Sequence, residues 1–557
     1  MGLRMSWFGQ KSSRATRTPR AAEIGDTTSL GGWMRRTLGN RNVQLRLLIC
    51  LMAVVAMLIV VEGWKPPQTW RIGDRPAEGL GDPAAAATSR LVEPGGTIDA
   101  GTLVRIEQIH ADRQFSTTDR LVRGATVVVL LVVLLTLNGI WLVRSRPALV
   151  GHAGRLGVYL AALVLTVAVG RLLSADPWRA EIIPLLATVV IFAIAWDQVV
   201  AILTALTLSL LLTISTVVEI GHFVVLLSVS VSAILPLTRV SSRSTLITVG
   251  FWSGVVFVLV DWGTLAITSS EPAGVLFNTA ELWPLLRGFL WCLVAGYLVA
   301  GSLPFIESLF GVVTDISLLE MGDASHPLLQ ELVQRAPGTY NHSIVVGTIG
   351  EAAADRIGAN GLLVRVAAYF HDIGKMLKPE YFIENTTAET SGRHEQLAPA
   401  MSTLIIIGHV KDGVELARQH NLPPALIDFI EQHHGTTLVE FFYEEARRQA
   451  GDEPDYSTDP VESSFRYPGP RPRTRESGVL MLADAVESAS RTLAEPTPKS
   501  LEGLVHRVTL RRLLDGQFEE SGLTLSDLRV IEESLTKSMI GIFHGRVTYP
   551  EQRTVSA

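Results

Sequence analysis

The chain has 557 residues, a formal net charge of −6, a mean hydropathy of +0.31 and only 18% charged residues. It is too apolar for an ordinary soluble protein and points to membrane spans, while its slight acidity argues against a basic nucleic-acid binder. The two cysteines, Cys50 and Cys292, both fall inside apolar runs, which argues against a disulfide framework and against a cysteine zinc site.

Residues 1–43 are rich in Arg, Ser and Gly without apolar periodicity and read as a disordered basic cytoplasmic arm. The run Leu45–Val61 starts too far along for a signal peptide and is followed by no convincing cleavage site, so residues 44–62 read as a retained anchor. Residues 63–120, rich in Gly, Pro and Ala, read as a short external segment, loosely folded and with little core of its own. Apolar runs then fill residues 121–304: Leu121–Val143, Leu156–Leu173, Ile182–Trp196, Val199–Val218, Phe223–Leu237, Leu246–Ala266 and Leu285–Leu303. Several fall a little short of the ~20 residues that cross hydrocarbon, and Asp197 marks a tight connection. Together they predict a seven-helix bundle after the anchor.

Basic residues set the orientation. Arg14, Arg17, Arg20, Arg35, Arg36, Arg41 and Arg46 place the N-terminus in the cytoplasm, and eight spans return the C-terminus there. Arg144, Arg146, Arg155, Arg239 and Arg243 lie in loops expected inside, whereas Thr268–Trp283, expected outside, has Glu271 and Glu281 but no Lys or Arg. Asp261 and Arg287 sit near span ends, so no file of intramembrane charge suggests transport.

Residues 305–326 read as a linker and 327–557 as a cytoplasmic domain. Leu362, Leu363, Val366, Tyr369, Phe370 and Ile373 recur at helical spacing, and no Gly-rich phosphate loop, nucleophile elbow or dinucleotide fingerprint is present. The fold class is therefore a multi-pass α-helical membrane bundle plus an all-α cytoplasmic domain. Glu444–Glu476, rich in Pro, Arg and acids, reads as a loop.

The chemistry lies in the histidines. His342 stands in GTYNHS, His371 and Asp372 open HDIGK on an apolar helix, His409 opens HVKDG, His433 and His434 stand in QHHGTT, and Asp484 lies in LADA. Five imidazoles and two carboxylates suit a borderline-to-hard divalent ion such as Fe, Mn, Zn or Co. They exceed what one ion uses and fit two ions bridged by a carboxylate. Two adjacent cations polarise a phosphoryl group and lower the pKa of a shared water, which is what phosphodiester hydrolysis needs. Lys375, one helical turn beyond His371, brings an ammonium to the same mouth, suited to a phosphate. His326, His394, His420, His506 and His544 read as structural or exposed.

The longer phrases carry a resemblance. APGTYNHS (336–343), IGAN (357–360), AYFHDIGK (368–375), PEYFIEN (379–385), HVKDG (409–413), EQHHGTTLVEFFY (431–443), FRYPGP (465–470), MLADAVESASR (481–491) and DGQF (515–518) cover most of the C-terminal half. They resemble the HD superfamily of metal-dependent phosphohydrolases and, within it, the membrane-anchored seven-transmembrane-receptor HD branch of PgpH-type cyclic-di-AMP phosphodiesterases. Trp70–Asp74 resembles the start of that family's external domain, though only Trp64–Arg120 remains here where the family usually carries a much larger one.

The resemblance implies two divalent cations, Fe or Mn. One would be held by His342, His371, Asp372 and Asp484, the other by Asp372, His409, His433 and His434, with Asp372 bridging. Asp372 and Lys375 would be the catalytic residues, and cyclic di-AMP would be opened to 5′-pApA by a two-metal activated hydroxide attacking in line. FRYPGP would pack near the site, and Tyr340 and Tyr381 lie close to the motifs without an assigned role. The implied partners are the bilayer of a bacterial inner or plasma membrane and cyclic di-AMP, with no nucleic acid; a homodimer is allowed and an external ligand is left open. The alternatives are hydrolysis of another nucleotide, cyclic di-GMP or (p)ppGpp, and a membrane receptor whose HD domain only binds a nucleotide.

Overall fold

The computed structural model describes residues 40–62, 64, 80–81, 90–93, 96–112, 117–145, 147–175, 177–216, 219–238, 240, 242–268, 279–386, 392–450 and 461–544. The expected basic arm up to residue 39 and the Trp70–Asp74 phrase lie outside them. The chain divides into two compact units, one of Met1–Leu237 with Ile247–Val299, the other of Thr238–Leu246 with Ala300–Ala557.

The first unit is a helical bundle: α1 (Arg41–Val61), α2 (Ala100–Asp112), α3 (Thr117–Ser145), α4 (Pro147–Gly151), α5 (Ala153–Leu173), α6 (Ile182–Ala195), α7 (Gln198–Ser215), α8 (Ile220–Ile234), α9 (Arg243–Thr268) and α10 (Thr279–Phe310), the last two shared with the second unit. Six of these, α1, α3, α5, α7, α9 and α10, are long and apolar enough to cross a membrane, and α6 and α8 are apolar but shorter. The protein is a multi-pass membrane protein. Asp197 caps α7, its Oδ1 accepting from Val200 N at 2.8 Å, which explains the tight connection.

In hydrocarbon a buried hydroxyl or amide must find a partner inside the protein. Asn138 donates to Thr207 at 2.7 Å, Tyr159 pairs with Thr204 at 3.1 Å, and Thr166 pairs with Thr188 at 2.6 Å. Where α9 meets α10 the helices touch through glycine: a Cβ at Gly250 would lie 2.8 Å from the Cys292 carbonyl oxygen, and one at Gly288 would overlap Phe257. Close backbone approach of this kind suits membrane helices, whose association gains little from the hydrophobic effect.

Among the described residues of 63–120, expected outside, there is more structure than the Gly, Pro and Ala content suggests. Strands β1 (Leu80–Gly81) and β2 (Arg90–Val92) pair antiparallel, and α2 starts where Asp99 Oδ1 accepts from Thr102 N at 2.7 Å. Val92, Ile98 and Ile106 form a small core between them.

The second unit is all-α. It comprises α11 (Asp315–Met321), α12 (Pro327–Arg335), α13 (Pro337–Arg356), α14 (Gly361–Phe370), α15 (Pro399–Gln419), α16 (Pro424–Gln432), α17 (Glu440–Ala450), α18 (Arg475–Ser490), α19 (Pro498–Leu514) and α20 (Leu525–His544). Local signals place them: Thr314 and Ser317 form a capping box before α11, Asn360 caps α14 through Leu363 N, and Thr474 and Ser477 form a second capping box on α18. Helix α13 lies at the centre, packed against α14, α18 and α20, and Val346, Ile349, Val364, Phe370, Leu480, Leu482 and Ile531 are wholly buried in one core.

Two expectations are corrected. HDIGK does not continue a helix: α14 ends at Phe370, and Ile373–Leu377 is a 3-10 turn. Gly374 lets this turn lie directly on α15, where a Cβ would fall 1.9 Å from the His409 carbonyl oxygen. The expected loop from Glu444 begins as helix, since α17 runs to Ala450. Its Glu440 in the first turn and Arg447 and Arg448 in the last complement the helix dipole. Residues 461–474 lead into α18, and Arg466 among them forms an isolated bridge with Leu438, ahead of α17.

Candidate metal centre

Five elements deliver the site. His342 lies on the first half of α13, His371 and Asp372 follow the last residue of α14, His409 is midway along α15, His433 and His434 follow the end of α16, and Asp484 is midway along α18. Thus all seven sequence-chosen ligand candidates are brought together. Six are buried, and the His434 side chain keeps 20% exposure.

The side chains form two groups around one carboxylate. Asp372 Oδ2 lies 3.1 Å from His371 Nε2 and 3.6 Å from His342 Nε2, and Asp484 Oδ1 completes this side at 3.0 Å from His342 Nε2. Asp372 Oδ1 lies 3.2 Å from His409 Nε2 and 3.6 Å from His433 Nε2 on the other side. In each group of four, one atom per residue falls within 4.8 Å of all the others; His434 joins the second group.

The outer nitrogens reveal which atoms face inward. The Nδ1 atoms of His371, His409 and His433 lie against the carbonyl oxygens of Ala368, Ile406 and Ile430. A carbonyl only accepts, so each Nδ1 carries hydrogen and donates, which leaves the Nε2 of a neutral ring as a bare lone pair. His409 and His433 then point two such lone pairs at each other across 3.2 Å. Asp372 Oδ1 and His371 Nε2 have no hydrogen-bond partner, and Asp372 Oδ2 is paired with the Lys375 ammonium at 2.7 Å. Buried lone pairs converging on a carboxylate whose one cationic partner is the Lys375 ammonium are what further cations relieve, so the residues fit two divalent ions.

Electrostatics separates the groups. Burial disfavours a charged His371, yet Asp372 and Asp484 beside it hold its pKa up to about 10. Burial opposes ionisation of Asp372 too, but His371 and Lys375 keep its carboxyl well below the usual range, and His342 and His371 do the same for Asp484. His433 and His434 are pushed down, first by burial.

Lys375 differs in its engagement from the sequence expectation. Because the turn is 3-10, its Nζ folds back to 2.7 Å from Asp372 Oδ2 and 2.9 Å from Glu384 Oε1, instead of standing at an open mouth. Two acids escaped the sequence reading. Glu487 Oε2 sits 2.5 Å from His342 Nδ1 and is held by Arg491; its spacing of three from Asp484 on one helix was the available signal. Glu384, in the quoted FIEN phrase, pairs with Lys375 and accepts from Thr339 at 3.1 Å. Tyr467 of FRYPGP packs its ring 4.3 Å from that of His434. Tyr340 packs against the core and Tyr381 against His394.

Fold and site together define an HD-type hydrolase domain carried by a membrane bundle. Residues 339–489 match the family model of the HD domain, residues 122–314 match that of the 7TM receptor with intracellular HD hydrolase, and the chain belongs to this family. Its relatives include the cyclic-di-AMP phosphodiesterase PgpH of Bacillus subtilis (strain 168), 39% identical over 58% of this chain and 44% of that protein. PgpH of Listeria monocytogenes serotype 1/2a (strain 10403S) is 37% identical over 59% of this chain and 44% of that protein. The chain thus spans less than half the length of these curated relatives. The crystal structure of the L. monocytogenes PgpH HD domain in complex with cyclic-di-AMP is 42% identical, with a TM-score of 0.37, covering 40% of this chain and 100% of that one.

Proposed function

We propose that this chain is a membrane-anchored phosphodiesterase that opens cyclic di-AMP to 5′-pApA, using two divalent cations, Fe or Mn. The observation that carries it is Asp372, buried and offering one oxygen to each of two His/Asp groups. In this reading His342, His371, Asp372 and Asp484 hold one ion, and Asp372, His409, His433 and His434 the other. Bound there, the pair supplies Lewis-acid polarisation of the phosphate and a water acidic enough to ionise near neutral pH.

The protein's own part is orientation. Glu487 and three backbone carbonyls fix the imidazole tautomers, and Lys375, anchored by Glu384, keeps Asp372 ionised and aimed. In the reaction, water oxygen bonds to phosphorus, the P–O3′ bond breaks and the 3′ oxygen takes a proton. The support for this substrate is the identity to phosphodiesterases named for cyclic di-AMP and to a domain crystallised with it. Residues 327–557 would form the enzyme, 305–326 the linker, and both termini would be cytoplasmic, as the arginine distribution suggests.

The test is turnover by the full chain in detergent with Mn2+ or Fe2+. Cyclic di-AMP should yield pApA, cyclic di-GMP should react far more slowly, and Asp372→Ala should lose both ions and all hydrolysis. Two bound ions without turnover of cyclic di-AMP would exclude this substrate.

A further inference from the structure

Among the five histidines of the centre, His434 is held differently. The outer nitrogens of the other four each have an oxygen partner: Glu487 for His342, and the backbone carbonyls of Ala368, Ile406 and Ile430 for His371, His409 and His433. Among the described residues, the His434 ring makes no hydrogen bond; its Nδ1 stands 3.8 Å from Asp484 Oδ2. It is also the one ligand candidate left partly exposed. Something else must fix its direction.

Two segments far along the chain meet the turn that carries it. Gly435, next to His434, adopts φ +53°, and a Cβ there would lie 2.3 Å from Gln517 Oε1. Gln517 is wholly buried. Its Oε1 accepts from Thr436 N at 3.0 Å, and its Nε2 donates to Thr436 Oγ1 and to Asp515 Oδ2, both at 2.9 Å. Arg466 donates to the Thr436 carbonyl oxygen at 2.8 Å and to Asp515 Oδ1 at 3.1 Å. Tyr467 N donates to the Thr437 carbonyl oxygen at 3.0 Å, which brings the Tyr467 ring over His434 at 4.3 Å and 32°. Thr436 N and the carbonyl oxygens of Thr436 and Thr437 are thus satisfied by DGQF and FRYPGP, two phrases that supply no ligand, while Thr437 N closes the turn on the His434 carbonyl oxygen at 3.1 Å.

We infer that Gln517, with Arg466 and Tyr467, is a positioning clamp that aims His434 at the second cation. Resting on the proposed assignment of His434 to that ion, the inference extends the metal centre to residues that supply no metal ligand. A buried amide bonded to both backbone and side chain of Thr436 sets the turn, and an aromatic face stops the ring from rotating outward. The first group contains none of these contacts, so the clamp acts on one ion of the two. Outer residues that orient a ligand typically alter metal affinity about 10–100-fold.

The experiment uses the full chain in detergent, stripped by chelator and titrated with Mn2+, with affinities from calorimetry and bound metal counted by elemental analysis. Gln517→Leu removes the amide, Tyr467→Leu removes the ring, and Tyr467→Phe keeps the ring. Wild type and Tyr467→Phe should hold two ions; Gln517→Leu and Tyr467→Leu should hold one at wild-type strength and the other about 10–100-fold more weakly. Should the buried Gln517 change prevent folding, the Tyr467 pair decides alone. Two ions at wild-type strength in the leucine variants overturn the clamp. So does equal weakening of both ions, the mark of general loosening. Cyclic di-AMP turnover is followed in parallel: selective loss of one ion in a chain inert toward this dinucleotide upholds the clamp and sinks the substrate.

Discussion

Gly374 shows how narrowly the site is built at the scale of one residue. A methyl group there would meet backbone, the His409 carbonyl oxygen and Gly413 N, not the yielding end of a side chain. Gly374→Ala should therefore cost about 1–3 kcal/mol or more, read as a lowered Tm, and it should weaken metal binding by pushing α15 from Asp372. His371 gives a pH dependence. Without metal its pKa rises from 6.5 to about 10. The charge on its ring stabilises the fold fully below pH 6.5, and that contribution disappears as pH rises through about 10. A cation needs the neutral ring, so binding must displace this proton. Apparent metal affinity should rise by about tenfold per pH unit between pH 7 and 9 for each proton released, and calorimetry in buffers of different ionisation enthalpy would count the protons. The seven ligand candidates could be picked out beforehand because His and Asp in those phrases have few other uses together. Glu487 and Glu384 could not, since a lone glutamate at helix spacing is usually a solvated face.

At the scale of elements, α18 carries both Asp484 and Glu487, and its start depends on the capping box of Thr474 and Ser477. Thr474→Ala should destabilise the second unit by about 1 kcal/mol and leave metal stoichiometry unchanged, since the cap lies about ten residues from Asp484; a denaturation midpoint alongside a metal count would check both. Helices were legible where apolar spacing and caps agreed, as in α14 with Asn360 before it. The break after Phe370 was not, because Ile373 prolongs the helical period while Gly374 answers to a backbone contact with α15 that no local pattern encodes. Helix α17 hid behind its polar composition, and the small core around Ile98 behind the Gly, Pro and Ala content of its segment.

At the scale of the molecule, the second unit has its own core, from Leu318 to Met539, and every ligand candidate lies within it. A fragment beginning near Thr314 should be soluble without detergent, bind two ions and retain hydrolysis; a fragment that aggregates or binds none would show that the membrane unit is needed for folding. Apolar runs foretold the bundle well because hydrocarbon imposes length and composition together.

The helices of that bundle are unequal. The apolar stretch Leu282–Phe310 has 29 residues, about 43 Å at 1.5 Å per residue against a hydrocarbon thickness of about 30 Å. Helices α6 and α8, of 14 and 15 residues, fall well short of that thickness. A spanning helix of that length must tilt or protrude, a spanning one as short as α6 or α8 would draw the lipid inward, and both adjustments depend on acyl-chain length. The last residues of the long helix, from Ala300, belong to the second unit, so an enzyme of the proposed kind should respond to lipid composition. Turnover in vesicles of 14-carbon lipids should therefore differ from that in vesicles of 20-carbon lipids, a kind of responsiveness that requires no soluble ligand.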